Sequence, residues 1–508
     1  MLTRLKVSGF KNLVDIDVRF GPFTCIAGPN GAGKSNLFDA INFLSALADR
    51  PLMEAALSVR DETGKTADVR SLFYRHGEEH QPKMSFEAEM IVPPEGADDL
   101  GQKAEATVTF LRYCIVLSYR KDRTIAPFGS LELLKEELNY ITKRDAPKHL
   151  LFPHSFSKWR NAVVTGRRSG SPFISTSVNE RPRVIKLHQD GGGGKPFPRN
   201  AADLPRTVLS STNAAEGPTA LLARREMQSW QLLQLEPSAL RKPDEFSSPI
   251  KIGSNGSHLA ATLHHLASQE VHRKAGHKTQ YNRAPMVYAQ VANRLAELIE
   301  DVHELYVDRD ERRELLTLYV TGKDRTSHAA RALSDGTLRF LALAVLAQDP
   351  EARGVLCLEE PENGIHPERV PAMIRLLQDI AVDPNEPVGP DNPLRQVIVN
   401  THSPLVVQQV PDESLLVAEI RESFQQQERV KGACFSCLPQ TWRVDKSPDS
   451  KREHVCPKGK LLAYLNPVPL AKHREELEEI PPSHGRRKIR RVVDRQDVQP
   501  LLFPMPRE

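Results

Sequence analysis

Gly28-Pro29-Asn30-Gly31-Ala32-Gly33-Lys34-Ser35 satisfies the phosphate-binding pattern G-x-x-x-x-G-K-[ST] at every required position. The apolar run Phe23-Thr24-Cys25-Ile26-Ala27 precedes it and reads as a strand. Leu37 to Leu44 follows it with apolar residues at helical spacing. Strand, glycine turn and helix make the setting such a loop needs. Glycines let successive backbone N–H groups converge on one phosphate without Cβ clashes, and the helix N-terminus adds partial positive charge. Lys34 is expected to reach the β- and γ-phosphates, and the Ser35 hydroxyl to bind Mg²⁺. The octet therefore predicts binding of a nucleoside triphosphate.

The bulk properties narrow the class. At 508 residues there is room for roughly two to four domains. A net charge of +4 is too small to argue for nucleic acid by itself. No apolar run is long enough to cross a bilayer, and the N-terminus alternates like a strand and lacks a signal peptide's apolar core. Six scattered cysteines fit a reducing compartment better than a disulfide scaffold, so a cytoplasmic protein is expected. With strands at Leu2–Val7 and Leu13–Phe20, the nucleotide fold is expected to begin at residue 1.

Residues 1–120 read as an N-terminal lobe carrying the phosphate loop, with further strands at Met84–Val92 and Ala106–Tyr119. Residues 121–325 read as an insertion, partly helical and partly flexible. Within it Leu131–Ile141 is expected to be helical, and the stretch through Gly191–Gly194 to Pro218 to be a flexible or ligand-ordered loop. Leu259–Ser268 has helical periodicity, and Val287, Val291, Leu295 and Leu298 make one apolar face between Met286 and Leu305. Leu315–Val320 reads as a strand. No heptads persist, so no coiled-coil arm is expected. Residues 326–410 form a motif-dense C-terminal lobe, and 411–508 a small extension whose basic end has the composition of a disordered tail.

Three further motifs fall in an order that completes an ATP site. Leu333-Ser334-Asp335-Gly336-Thr337 opens an apolar helix, where Ser334 and Gly336 present a hydroxyl and free N–H groups; a plain N-cap turn is the alternative. Val355-Leu356-Cys357-Leu358-Glu359-Glu360 is a buried strand ending in acids. There Glu359 would hold Mg²⁺ largely through water, and Glu360 would orient and polarise an attacking water. The alternative is an acidic helix cap. Gln396-Val397-Ile398-Val399-Asn400-Thr401-His402 is another buried strand, ending in a histidine placed to bridge the γ-phosphate and that water.

Together GPNGAGKS, LSDGT, EEPENGIHP and NTHSP, with an N-terminal FKN, resemble the RecF/SMC-type branch of ATP-binding-cassette ATPases. More closely they resemble the AAA-type ATPases encoded in bacterial anti-phage and DNA-maintenance loci. The resemblance covers residues 1–50 and 330–405. It implies an α/β P-loop NTPase, an ABC/SMC-type head with a mixed sheet and a helical insertion. It also implies ATP and Mg²⁺ as cofactors, and a homodimer formed through the ATP sites. Carried over by motif position, Asn30, Gly31, Gly33, Lys34, Ser35 and Asn36 bind phosphate and metal, with Ser35 and Glu359 serving the metal. Glu360 and His402 are catalytic, Ser334 and Gly336 complete the partner's site, and Glu362–Pro367 crosses the dimer interface. DNA, and a nuclease or toxin protein, are the further partners it implies, with no membrane.

The chain departs from that pattern in three places. Asp335 stands where transporter ATPases carry glycine, so its carboxylate must point away from the phosphate. Glu359 replaces the commoner aspartate and is one methylene longer. A glutamine-bearing lid loop is not identifiable, Gln81 being only a candidate.

Other signals are less specific. Cys434, Cys437, His454 and Cys456 offer a zinc set against ordinary cytosolic cysteines on strands. Arg486-Arg487-Lys488-Ile489-Arg490-Arg491, and Lys158, Arg160, Arg167 and Arg168 around Trp159, offer nucleic-acid contacts against solvated charge. After Pro404 the acidic set of a metal-dependent nuclease is not found, and Asp494 and Asp497 have the wrong spacing. The leading expectation is an ATPase head that dimerises on ATP, hydrolyses it slowly and couples the cycle to DNA or a DNA-acting partner. A nucleotide-gated scaffold with little turnover, and a transporter ATPase subunit, are the alternatives.

Overall fold

The computed structural model describes residues 1–59, 68–121, 129–177, 183–191, 195–275, 286–425, 428–445 and 455–465. Sixteen strands carry the architecture: β1 Leu2–Phe10, β2 Leu13–Arg19, β3 Phe23–Ala27, β4 Lys83–Ile91, β5 Phe110–Arg120, β6 Ser130–Tyr140, β7 Ile174–Ser177, β8 Val184–Leu187, β9 Phe197–Asn200, β10 Gln231–Leu233, β11 Val302–Asp310, β12 Leu315–Gly322, β13 Gly354–Glu359, β14 Arg395–Thr401, β15 Leu415–Gln425 and β16 Glu428–Cys437. The helices that matter for the site are α1 Lys34–Leu47, α2 Pro218–Gln228, α3 Leu259–Ala275, α4 Met286–Ala296, α5 Asp335–Gln348, α6 Val370–Ile380 and α7 Lys458–Leu465.

Two sheets enclose α1. The first is antiparallel, with eight strands in the order β9-β8-β7-β6-β5-β4-β1-β2. The second runs β10-β13-β14-β3-β15-β16 and is parallel except for its last strand. In α1 the side chains of Leu37, Phe38, Ile41, Phe43, Leu44 and Leu47 are all essentially solvent-free, as a helix covered on more than one side requires. Phe43 stacks on Phe10 at 5.9 Å and meets Phe86 edge-on at 5.6 Å, which locks the helix to β1 and β4. The opposite side of the parallel sheet is covered by α5 and α6, and α5 is apolar around most of its girth. The chain thus has an α/β fold with a mixed sheet, in which the phosphate loop joins the central strand β3 to α1, the arrangement of a P-loop nucleotide-binding fold.

The middle region is richer in strand than its sequence predicts. Leu131–Ile141 is not a helix but β6, hydrogen-bonded to β5 along its length. Leu, Glu and Lys are good helix formers, so local propensity points the wrong way. A bulge between Leu133 and Lys135 shifts the alternation, so Leu131 and Leu133 face inward before it, and Glu136 and Leu138 after it. That break removes the period-two signature by which a strand is recognised. The antiparallel sheet continues through β9, within the stretch expected to be a loop. The apolar face starting at Met286 ends as a helix at Ala296, where a turn at Leu298 and Ile299 leads into β11. Leu259–Ser268 and Leu315–Val320 fall in α3 and β12 as expected. β15 and β16, from the C-terminal extension, complete the parallel sheet rather than standing apart from it.

Glu136 ties the antiparallel sheet to the turn beyond it. Fully buried, it accepts hydrogen bonds from Val208 N at 2.7 Å, Leu209 N at 2.8 Å and the Tyr113 hydroxyl at 3.1 Å. The neighbouring Thr207 hydroxyl donates to the Leu47 carbonyl at the end of α1. Burial pushes the Glu136 carboxyl up to about 7 despite those three donors. A carboxyl raised in the folded state binds more protons there than in the unfolded chain between its ordinary value and about 7. Its contribution to stability is therefore lost as pH rises through that window. Replacing it by the uncharged isostere in Glu136→Gln should remove this loss. The stability of the variant relative to the parent, measured by urea unfolding, should rise between pH 5 and pH 8 by an amount on the order of 2–3 kcal/mol. A difference that stays flat across that range would refute the assignment.

Candidate functional site

The carboxyl ends of four neighbouring parallel strands converge on one edge. Ladder register sets this: Thr401 lies beside Ala27, Asn400 beside Glu359, and Leu358 beside Leu233. The loops that follow β3, β13, β14 and β10 are therefore neighbours, the usual place for a ligand in an open α/β sheet.

From β3 the chain enters the phosphate loop. Gly31 and Gly33 take φ of 78° and 93°, a backbone shape that side chains resist, and Gly33 is the N-cap of α1. A Cβ on Gly33 would also lie 2.6 Å from the Ala433 Cβ, whereas one on Gly31 would meet open space. Lys34 leads back over the loop, donating to the carbonyls of Gly28 at 2.7 Å and Pro29 at 2.9 Å. Burial pushes its ammonium below the usual lysine value, against the opposing pull of Glu360, Glu359 and Glu362. The Asn36 amide donates to the Asn12 side chain at 2.8 Å, which fixes α1 to the turn between β1 and β2.

β13 delivers the acids. Glu359 accepts from Asn400 Nδ2 at 3.4 Å and from Gln234 Nε2 at 3.3 Å. Glu360 follows with φ of 45°, a left-handed conformation that costs a non-glycine residue on the order of 1 kcal/mol or more. Its amide is held by the Asn400 carbonyl at 3.0 Å, and its carboxylate by His402 Nδ1 at 2.6 Å and Asn363 Nδ2 at 2.9 Å. Burial pushes the Glu360 carboxyl up, but the hydrogen bonds from Asn363 and His402 outweigh it and keep it below the usual carboxylate range. Glu362 lies deeper. It accepts from the Thr401 hydroxyl, and burial holds its carboxyl above the usual range.

These loops enclose a cleft of ≈ 480 Å³ lined by Asn30, Gly31, Gly33, Lys34, Ser35, Asn36, Glu359, Glu360, Asn363 and Asn400. Two distant stretches of sequence are thus brought to one place. The donor set fits the groups it is expected to hold: loop N–H groups and an ammonium for phosphates, and a hydroxyl with carboxylate oxygens for a hard cation such as Mg²⁺.

Ser334 and Gly336 are not among the residues lining the cleft. Ser334 is exposed and caps α5, accepting from Thr337 N at 3.2 Å. Gly336 is buried against the loop after Glu362, where a Cβ would come within 2.1 Å of the Gly364 carbonyl oxygen. Arg241 pairs with the Asp335 carboxylate and donates to the Leu333 carbonyl, so that carboxylate is engaged within its own chain. Arg339, one turn along α5, donates to the Asn363 carbonyl at 2.6 Å and the Leu235 carbonyl at 3.1 Å. The exposed start of α5 is in this way fastened to two of the loops that line or adjoin the cleft.

Three contributors escape the sequence reading. Asn363 and Asn400 line the cleft within motifs already recognised, but as linkers between acids and histidine. Gln234 is the glutamine that meets Glu359, in place of Gln81, whose N–H pairs with the Tyr74 carbonyl in a short hairpin. The strand before Gln234, β10, is only three residues long, too short to stand out as a period, and Gln234 follows its last residue, Leu233.

The weaker candidates also have defined places. Cys434 and Cys437, three apart on β16, face opposite sides of the strand, and Cys434 turns toward Ser436. Cys437 and Cys456 are buried in different apolar clusters. Among the described residues no group of three or more such side chains is placed to hold a metal ion, and His454 lies outside them. Trp159 is buried in the core, Lys158 pairs with Glu386, and Arg168 stacks on Phe173 while donating to the Asp190 carbonyl. The basic hexad 486–491, Asp494 and Asp497 lie outside the described residues. No helix among the described residues is long and apolar enough to cross a membrane.

Comparison with known proteins agrees with this geometry. Residues 232–408 match a family described as "AAA domain, putative AbiEii toxin, Type IV TA system", and residues 4–89 match a second AAA domain family. The chain is 52% identical over 44 residues to the OLD nuclease of Thermus scotoductus (9% of this chain, 8% of that protein). It is 49% identical over 45 residues to the DNA replication and repair protein RecF of Magnetococcus marinus (9% and 12%). It is 40% identical over 76 residues to structural maintenance of chromosomes protein 1 of Schizosaccharomyces pombe (15% and 5%). The chain thus spans no more than 18% of the length of the curated relatives it matches. Among solved structures, an Smc head bound to the C-winged helix domain of ScpA aligns with 86% of this chain and 98% of its own, at 13% identity and a TM-score of 0.44. The Smc head of Pyrococcus furiosus bound to the C-terminal domain of ScpA aligns with 86% and 96%, at 12% identity and a TM-score of 0.40. Two stretches of the chain, 4–89 and 232–408, thus match AAA domains, and short segments are similar to RecF and structural-maintenance-of-chromosomes proteins.

The close approach of Gly336 to Gly364 yields a direct test. Gly336→Ala must push α5 away from the 362–367 loop, and overpacking against backbone of this kind costs about 1–3 kcal/mol. Thermal unfolding of the variant should show the corresponding drop in Tm, and an unchanged Tm would refute the contact.

Proposed function

We propose that this chain, with its RecF/SMC-like AAA-type head, binds ATP with Mg²⁺, pairs with a second copy around two nucleotides, and hydrolyses them slowly. In this reading the cycle is coupled to DNA or to a DNA-acting partner. The observation that carries the proposal is the convergence of Lys34, Ser35, Glu359 and Glu360 on one cleft from residues more than three hundred positions apart.

The roles follow from the chemistry of each group. Loop N–H groups from Asn30 to Asn36 and the Lys34 ammonium would bind the phosphates. Ser35 and Glu359 would hold Mg²⁺, which when bound neutralises charge on the phosphoryl oxygens; Gln234 and Asn400 aim the Glu359 carboxylate. Glu360, kept ionised by its hydrogen bonds, would orient the attacking water and accept its proton. His402, already paired with Glu360, would hold that carboxylate in place. Ser334 is exposed on the surface of α5, as a group serving a second copy's nucleotide must be.

The names of the relatives support a pathway in DNA maintenance or anti-phage defence: a replication and repair protein, a chromosome-maintenance protein and a nuclease. The toxin in the family description supports a toxin or nuclease partner. A nucleotide-gated scaffold is the second reading. Both oxygens of Glu360 are engaged by its own chain, through His402 and Asn363, and a site that keeps them so would turn over seldom.

Steady-state hydrolysis of MgATP with and without double-stranded DNA separates the two readings, since a scaffold gains nothing from DNA. Glu360→Gln should lower kcat by about a hundredfold or more and accumulate ATP-bound dimers in analytical ultracentrifugation. Lys34→Ala should weaken ATP binding by about tenfold or more, and no dimer should form. Wild-type turnover in Glu360→Gln would remove the catalytic assignment.

A further inference from the structure

We infer that Thr401, anchored by Glu362, is a positioning residue that sets His402 against Glu360, an inference that rests on the hydrolytic reading above. The His402 side chain is 48% exposed, yet its Nδ1 lies 2.6 Å from the Glu360 carboxylate. A ring that open holds one direction only if the backbone beneath it is fixed. Thr401 supplies the fixing from one side and Ser403 from the other. The Thr401 hydroxyl donates to Glu362 Oε1 and accepts from Ser403 N at 2.8 Å. The Thr401 carbonyl accepts from Gly28 N at 3.3 Å, which joins the same residue to the start of the phosphate loop. A three-membered chain, Glu362 to Thr401 to Ser403, thus brackets His402 on both flanks.

Glu362 is not what stability alone would place there. It is 8% exposed, and its second oxygen, Oε2, is buried without a hydrogen-bond partner. A buried acceptor left unsatisfied is unfavourable, and an apolar side chain of similar shape would avoid the loss. What the carboxylate adds is a strong acceptor that gives the Thr401 hydroxyl one orientation, so that its lone pair faces Ser403 N. Thr401 is fully buried and lies in register beside Ala27, so it carries this orientation from the sheet to the turn.

The test is steady-state ATP hydrolysis by the full chain in four forms: parent, Thr401→Val, Thr401→Ser and His402→Ala. Thr401→Val keeps the shape and removes the hydroxyl. It should lower kcat by about tenfold and leave KM for MgATP within about twofold, because it disturbs orientation and not binding. Thr401→Ser retains the hydroxyl and should recover most of the loss. Adding Thr401→Val to His402→Ala should cost nothing further, since the threonine acts only through the histidine. Independent multiplication of the two losses, or an increase in KM with kcat preserved, would overturn the inference. Equal loss in Thr401→Ser and Thr401→Val would overturn it too. A parent chain without turnover would remove the hydrolytic reading together with this inference, whereas a parent that turns over and a Thr401→Val that matches it would remove the inference alone.

Discussion

Hydrogen-bond register between β3, β13 and β14 is the constraint from which the site follows. Ala27 beside Thr401 and Glu359 beside Asn400 put the last residues of three strands on one level. A shift by one residue would turn each side chain to the opposite face of the sheet. Glu359 and Thr401 would then exchange places with their neighbours, and the acids would face the covering helices. The register is protected by burial: every residue of β14 and the first five of β13 are buried. Apolar packing against α5 and α6 on one side, and against α1 on the other, allows only one alignment.

From that edge the order extends outward by short polar links rather than by more sheet. Asn400 fixes both acids: its side chain donates to Glu359, and its carbonyl holds the Glu360 amide. Arg339 then fastens the start of α5 to the loops at 235 and 363. The exposed Ser334 and the cleft are consequently linked through these loops, although Ser334 does not line the cleft. Gly336 permits this by letting α5 approach the Gly364 carbonyl more closely than any side chain would allow.

Among the residues that meet at the cleft, those of the recognised motifs were the most legible in the sequence, because each motif needs a particular residue type at a particular spacing. Glycines and lysine in the phosphate loop, acids after an apolar run, and histidine after another could be read without knowing the fold. The connecting residues were not legible for a definite reason. Gln234, Asn363 and Asn400 act through amide hydrogen bonds that many polar side chains could make at the surface, so nothing in their local sequence marks them. The middle region misled for another reason. In β6 a bulge breaks the alternation and the composition favours helix, so pairing with β5 decides the outcome against local preference. β10 is recognisable only as the neighbour of β13, a relation between residues 125 positions apart that no window of sequence contains.

Three departures from ordinary packing rules meet at this edge. Glu360 adopts a left-handed backbone, Glu362 keeps one buried oxygen unpaired, and Lys34 is partly desolvated beneath three carboxylates. Each is unfavourable alone. Their environments also push the two carboxyls apart: Glu360, with its amide and imidazole partners, is held below the usual range, and Glu362, deep and half-satisfied, above it. The carboxyl held below the usual range is the one facing the cleft. The other lies behind it and offers its acceptor to the Thr401 hydroxyl, so the two acids of one loop serve different sides of the edge.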